Sequence, residues 1–299
     1  MPDNSFRVMQ ASNRRKTIGL LMGMAVLIWL VAYAAMTYFG ATGIGVMPFA
    51  VGIALISVWG SYYASDSLVV RMTGARVIEE SENPKLFGLI QEVIIASGLP
   101  MPKVAIVQDP APNAFATGRN PEHALIAFTT GILEAMDREQ LQGVIAHEMS
   151  HVGNRDTLVS AIAATTAGAI ALLSDFLMRM MWFGGGGRRD RDSNSNPIAL
   201  ILSLFVLILA PIAAVLLRSA ISRRREALAD ATAVSFTRNP AGLRSALEVL
   251  AADSTVVRAK SNAVAHIWIE SPLDGSSVSK LFATHPPIQE RIAALRAME

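Results

Sequence analysis

Four stretches of this chain are almost wholly apolar over helical lengths, and the rest alternates between amphipathic helix-like and short strand-like patterns. The apolar blocks run over residues 17–39, 42–61, 158–178 and 197–217. Each is near the roughly 20 residues that cross a hydrocarbon core of about 30 Å. The pattern therefore predicts four transmembrane helices, in two hairpins. The first pair is joined by Gly40-Ala41 alone, and the second by a Gly-rich, mixed-charge loop at 184–196. Block 158–178 is Ala-rich and carries Asp175 near its far end, so a buried soluble helix is the competing reading there.

Between the hairpins the periodicity changes. Asn83-Pro84 predicts a helix start with Pro at the first position. Leu86, Leu89, Ile90, Val93 and Ile94 follow at helical spacing, and Gly98 supplies the stop. Lys103 to Val107 reads as a strand, ended by the turn Asp109-Pro110. Segments 113–118 and 125–130 read as two strands around the turn cluster Gly118-Arg119-Asn120-Pro121. His123 in that turn reads as a surface residue. Asp137 and Gln140 form a capping-box start for a further helix, whose apolar stripe is Leu141, Ile145, Met149 and Val152 and whose stop is Gly153-Asn154. After the second hairpin a helix carries Glu226 and Asp230 one turn apart. Asn239-Pro240 breaks it and opens another, with Leu243, Ala246, Leu247 and Leu250, and a last helix runs through Arg291. The fold class expected is mainly α with a small β-hairpin or sheet (α+β), fused to the four membrane helices.

Composition agrees with a membrane protein: 52% of residues are hydrophobic and only 17% charged. The net charge of +2 is spread over basic clusters at the ends of the apolar blocks, where anionic headgroups account for them better than nucleic acid does. Arg14, Arg15 and Lys16 precede the first block, Arg71 and Arg76 follow the second, and Arg218 with Arg223 to Arg225 follow the fourth. The positive-inside rule then places the tail 1–16, the segment 65–157 and the segment 219–299 in the cytoplasm. Transmembrane pairs at 17–64 and 158–218 divide them, so one catalytic domain is expected from two halves, 65–157 and 219–299. Arg188, Arg189 and Arg191 in loop 184–196 vote weakly the other way. Ala32-Tyr33-Ala34 resembles a signal-cleavage site, but the apolar run continues past it. There is no Cys, which excludes disulfides and thiol catalysis, and there is no phosphate-binding loop motif, which argues against a nucleotide partner.

The chemistry lies in His147-Glu148-Met149-Ser150-His151. Positions i and i+4 share a helix face, so both imidazoles can grip one ion, and Glu148 lies where its carboxylate can take a proton from a metal-bound water. A catalytic zinc takes three protein ligands and keeps one position open. If the second hairpin leaves and re-enters the same side, Glu226 returns close to this helix as the third ligand. Asp230, one turn on, can then accept from a ligating imidazole. Asp274, in Leu273-Asp274-Gly275, is the rival ligand; it resembles the Asp-Gly element of intramembrane site-2 proteases. His285 could also ligate, but a fourth protein ligand would close the site.

Taken together, the His147-Glu148-x-x-His151 motif, Glu226-x-x-x-Asp230 after a hydrophobic hairpin, Pro112-Asn113-Ala114-Phe115 upstream and His285-Pro286-Pro287 downstream resemble the HtpX-type membrane zinc proteases, bacterial relatives of the CAAX prenyl proteases. The resemblance implies a zincin-like catalytic domain on the cytoplasmic face of the bacterial inner membrane. It implies one Zn2+ per chain, protein substrates that include membrane proteins, and a role in quality control under stress. By position it implies that His147, His151 and Glu226 are ligands and that Glu148 is the catalytic base. Asn113, Ala114 and Phe115 would then form the substrate-binding strand, and His285 would steady the oxyanion. A scaffold with a structural metal would not need Glu148, and a transporter would need paired ionisable residues at mid-depth of its spans.

Overall fold

The computed structural model describes residues 69–157, 225–253, 255, 268–269 and 286–299, with scattered positions between 18 and 67. Four strands make a mixed sheet: β1 (Arg76–Ile78), β2 (Lys103–Val107), β3 (Ala114–Thr117) and β4 (Leu125–Thr129), in the order β1-β2-β4-β3. β2 and β4 are parallel, and the two outer pairs are antiparallel. The expected hairpin is therefore β3–β4, with Ala114 opposite Phe128 and Thr117 opposite Leu125. The sheet is larger than the sequence pattern foretold, because β1 is only three residues long and carries too little alternation to read.

The described residues include, besides the sheet, helices α1 (Pro84–Ser97), α2 (Thr130–Ala135), α3 (Arg138–Gly153), α4 (residues 225–237), α5 (Pro240–Ala252) and α6 (Ile288–Arg296). α1 begins as expected, with the Asn83 side chain accepting from the Leu86 amide, and ends at Gly98, whose φ of 70° suits a residue without a Cβ. The strand expected over 125–130 stops at Thr129, whose hydroxyl caps α2 through the Ile132 amide. That side chain turns the chain into a helix one residue early.

One face of the sheet packs Val104, Ala114, Ala116, Ile126 and Phe128 against the helices. The other buries Ala105, Val107, Phe115, Leu125 and Ala127 with Val69 and Trp268. Both faces are covered, which is why β3 and β4 read as unbroken apolar runs. Phe115 and Trp268 meet edge to face with ring centroids 4.8 Å apart.

α3 is the central helix. Its capping box is present: Asp137 accepts from the Gln140 amide at 2.9 Å, and the Gln140 side chain accepts from the Asp137 amide at 3.0 Å. It is buried well beyond the apolar stripe read from the sequence. Every residue from Gly143 to Ser150 is buried, since β3 covers one side and α1 and α5 the others. Gly143 permits the tightest of these contacts. A Cβ there would lie 2.7 Å from the Leu243 backbone nitrogen, and one on Gly242 would lie 2.8 Å from the Glu139 carbonyl. The backbones of α3 and α5 thus meet with no side chain between them.

Among the described residues no helix is long and apolar enough to cross a membrane. The expected spans 158–178 and 197–217 and the loop 184–196 lie outside the described residues. So do Asp274 and His285. Blocks 17–39 and 42–61 are described only at scattered helical positions.

Candidate metal centre

α3 and α4 bring His147, His151 and Glu226 to one point. One ligand atom from each lies within 4.8 Å of the others. The two Nε2 atoms are 3.2 Å apart with the rings nearly perpendicular, and each lies 3.5 Å from a different carboxylate oxygen of Glu226. A tetrahedral ion with bonds of about 2.0–2.1 Å would separate its ligand atoms by about 3.3–3.4 Å. The nitrogen pair, and the distance from each nitrogen to its nearer Glu226 oxygen, are close to that edge. With a proton on one ring the Nε2 pair is a hydrogen bond; with both nitrogens bare, the same spacing lets the group hold an ion.

Each imidazole is backed by a carboxylate through its other nitrogen. His147 Nδ1 is 2.9 Å from Asp230 Oδ1, and His151 Nδ1 is 3.3 Å from Asp156 Oδ2. A proton held on Nδ1 leaves Nε2 bare for the metal, so these contacts select the useful tautomer. Asp230 stands where sequence reasoning put it. Asp156 was missed: Arg155, with a left-handed φ of 59°, turns the chain back beneath His151 just after the helix ends. No spacing rule announces such a return.

Two buried arginines complete the shell, and both were also missed. Arg291, on α6, grips Asp230 with a fork: Nε donates to Oδ2 at 2.9 Å and Nη2 to Oδ1 at 2.7 Å. Its Nη1 lies 3.4 Å from Glu226 Oε2. Arg225 stands behind Asp156, with Nη1 3.8 Å from Oδ1 and donating to the backbone carbonyl at 3.3 Å.

The electrostatics follow from burial. Burial and the Arg291 charge push the His147 imidazole down, yet hydrogen bonds to Asp230 and Glu226 outweigh both and carry it to about 9 in the metal-free protein. Burial alone would raise Asp230, but Arg291 and His147 hold it at about 2. Glu148 is only 2% exposed, and burial pushes its carboxyl up against the pull of the two histidines. A carboxyl raised in this way is suited to accept a proton near neutral pH.

The strand expected to bind substrate has its outer edge engaged. Ile269 donates its amide to the Ala114 carbonyl at 2.9 Å, and Phe115 is bridged antiparallel to Trp268. The outward Ala114 amide donates to the Asn113 side chain at 3.0 Å. His123 is an exposed turn residue as expected, its Nδ1 2.7 Å from Asn120 Oδ1.

The family model of peptidase family M48 matches residues 80–299, which hold the whole of this centre. The chain belongs to that family. It is a metalloprotease. M48 relatives over nearly the full length agree. A protease HtpX homolog of Caldanaerobacter subterraneus subsp. tengcongensis is 44% identical, with 97% of each chain covered. Those of Thermoanaerobacter pseudethanolicus (43%, 97% of each chain) and Streptococcus gordonii (44%, 96% of this chain and 98% of the other) are similar. The crystal structure of S. mikatae Ste24p superposes with a TM-score of 0.53 at 18% identity, covering 95% of this chain and 66% of that one, a likeness of fold. Among the described residues of this M48 chain, Glu226 is the carboxylate that faces both imidazole Nε2 atoms.

Proposed function

We propose that this M48 protease is a membrane-embedded zinc endopeptidase that cleaves membrane or misfolded proteins at the cytoplasmic face of a bacterial inner membrane, as quality control under stress. One observation carries the zinc reading: two imidazole nitrogens 3.2 Å apart and a buried carboxylate with one oxygen 3.5 Å from each of them, two of the three residues buried and His151 partly so. In this reading His147, His151 and Glu226 hold the ion, with Asp230 and Asp156 orienting the imidazoles. Bound zinc supplies a water acidified toward a pKa of about 7 and polarises the scissile carbonyl. With zinc held there, Glu148 would serve as the base for that water's proton and would return it to the leaving amine. His285 donates to the oxyanion. Asn113, Ala114 and Phe115 align an extended substrate by β-augmentation, on the condition that Ile269 first gives up the Ala114 carbonyl.

The membrane part of the reading is four spans, with the catalytic halves 65–157 and 219–299 on one side and loop 184–196 on the other. It is supported by exposed apolar side chains at helical positions of the N-terminal blocks. Ile18, Met22 and Val26 recur every four residues and are each at least half exposed, as is Ile56. Such a stripe is at home against lipid. Its test uses the absence of Cys: an impermeant thiol reagent on intact cells should label Ser193→Cys but not Ser81→Cys. Labelling of Ser81→Cys would put the protease on the other face.

The function is tested on the detergent-solubilised full chain with an unfolded protein as substrate. Cleavage should stop with chelator, return with added Zn2+, and be absent from Glu148→Gln that still carries one zinc. Cleavage by that variant at the wild-type rate would end the proposed mechanism.

A further inference from the structure

We infer that Arg291 is a positioning residue of the metal centre, acting through Asp230 and Glu226 and not through substrate; this rests on the zinc reading above. Arg291 is 4% exposed and reaches four partners with one guanidinium. It makes the bidentate pair with Asp230, lies 3.4 Å from Glu226 Oε2, and donates to the Ile269 carbonyl at 3.4 Å. Its Nη2 is also 3.4 Å from His147 Nδ1 and 3.3 Å from Nε2. Near-equal distances to both ring nitrogens place that atom over the face of the imidazole, out of line with either lone pair. The guanidinium therefore leaves Nε2 open to an ion while blocking rotation of the ring.

The arrangement answers a problem of charge. Asp230, Glu226 and Glu148 crowd one buried volume, and carboxylates so placed repel and splay before a metal arrives. A guanidinium forked onto Asp230 fixes both of its oxygens, so that Oδ1 faces His147 Nδ1. The neighbouring Nη1 holds one oxygen of Glu226 at the same time. Lys could supply the charge but not the fork, since its ammonium is a point charge with no planar pair of donors.

This gives Arg291 a signature that a general structural role lacks. The test titrates detergent-solubilised, metal-free full chain with Co2+, whose visible absorption reports ligand identity and geometry. Wild-type protein should show tetrahedral bands that Glu226→Ala abolishes; failure of that control would overturn the zinc-site reading itself. With the control in place, Arg291→Lys and Arg291→Met should both bind Co2+ about 10- to 100-fold more weakly and with shifted bands. Wild-type affinity and spectrum in both variants would overturn the inference, and rescue by Arg291→Lys alone would overturn the fork in favour of simple charge. Where Arg291→Met does not fold, Arg291→Gln combined with Asp230→Asn removes both charges of the fork together and keeps an acceptor facing His147 Nδ1. Weakened Co2+ binding by that pair, relative to Asp230→Asn alone, supports the inference; equal binding overturns it.

Discussion

His147 and His151 sit one helical turn apart and carry the same kind of support, an aspartate behind Nδ1 and an arginine behind the aspartate. The two relays differ in quality. At His147 the carboxylate contact is 2.9 Å, the arginine fork is bidentate, and the imidazole is 1% exposed. At His151 the carboxylate is at 3.3 Å, the arginine nitrogen is 3.8 Å from the nearer oxygen, and the side chain is 16% exposed. The first relay is drawn from α4 and α6, far along the chain, and the second largely from the turn that ends α3. The structure thus holds the His147 ring firmly and leaves the His151 ring more freedom.

The largest expected effect comes from removing what the two relays share. Glu226 faces both imidazoles, so Glu226→Ala should reduce bound zinc to a small fraction, read by metal analysis after dialysis. Retention of stoichiometric zinc would mean that another carboxylate completes the shell. Next in size is the contrast between the relays. Asp230→Asn should cost about 10- to 100-fold in zinc affinity, and Asp156→Asn about tenfold or less, both measured by competition with a chromophoric chelator. Equal losses would erase the distinction drawn here.

The pH dependence of the metal-free protein sharpens the same contrast. His147 is raised from 6.5 to about 9, so its stabilising contribution is complete below pH 6.5 and is lost as pH rises through 9. Asp230 is lowered from 3.8 to about 2, so its contribution is complete above pH 3.8 and is lost as pH falls through 2. The melting temperature without metal should therefore decline between pH 6.5 and 9. Asp230→Asn should flatten that decline and Asp156→Asn should preserve it. A melting temperature that climbs over this window would refute the assignment. The smallest effect is that of a change that treats both histidines alike. Asp137→Ala removes the cap of α3 and should cost about 1 kcal/mol of stability by denaturant titration, with the Asp230-to-Asp156 contrast unchanged.

What could be read from the sequence follows the reach of each interaction. The two histidines and Glu148 were legible because helical spacing alone puts them on one face. Glu226 and Asp230 were legible because they repeat that spacing after a second pair of apolar blocks. The capping box and the Gly153-Asn154 stop of α3 were local and also came through. Asp156 was not legible, since it depends on one left-handed residue in a short turn. Arg291 was not legible either, because its partner Asp230 lies 61 positions away on another helix. The burial of α3 on all sides was hidden for a related reason. Its motif residues are polar by type, so a stripe of four hydrophobics was all that periodicity could register.

The division of the centre among α3, α4 and α6 also sets a clock. At about 5–20 residues per second, a ribosome needs on the order of ten seconds to pass from His151 to Arg291. For about the first half of that interval the growing chain carries both imidazoles without Glu226 and Asp230, and for all of it without Arg291. A nascent chain in this state has not yet made the residues that surround the two imidazoles. The arrangement described here can be assembled only once translation has delivered the last helix.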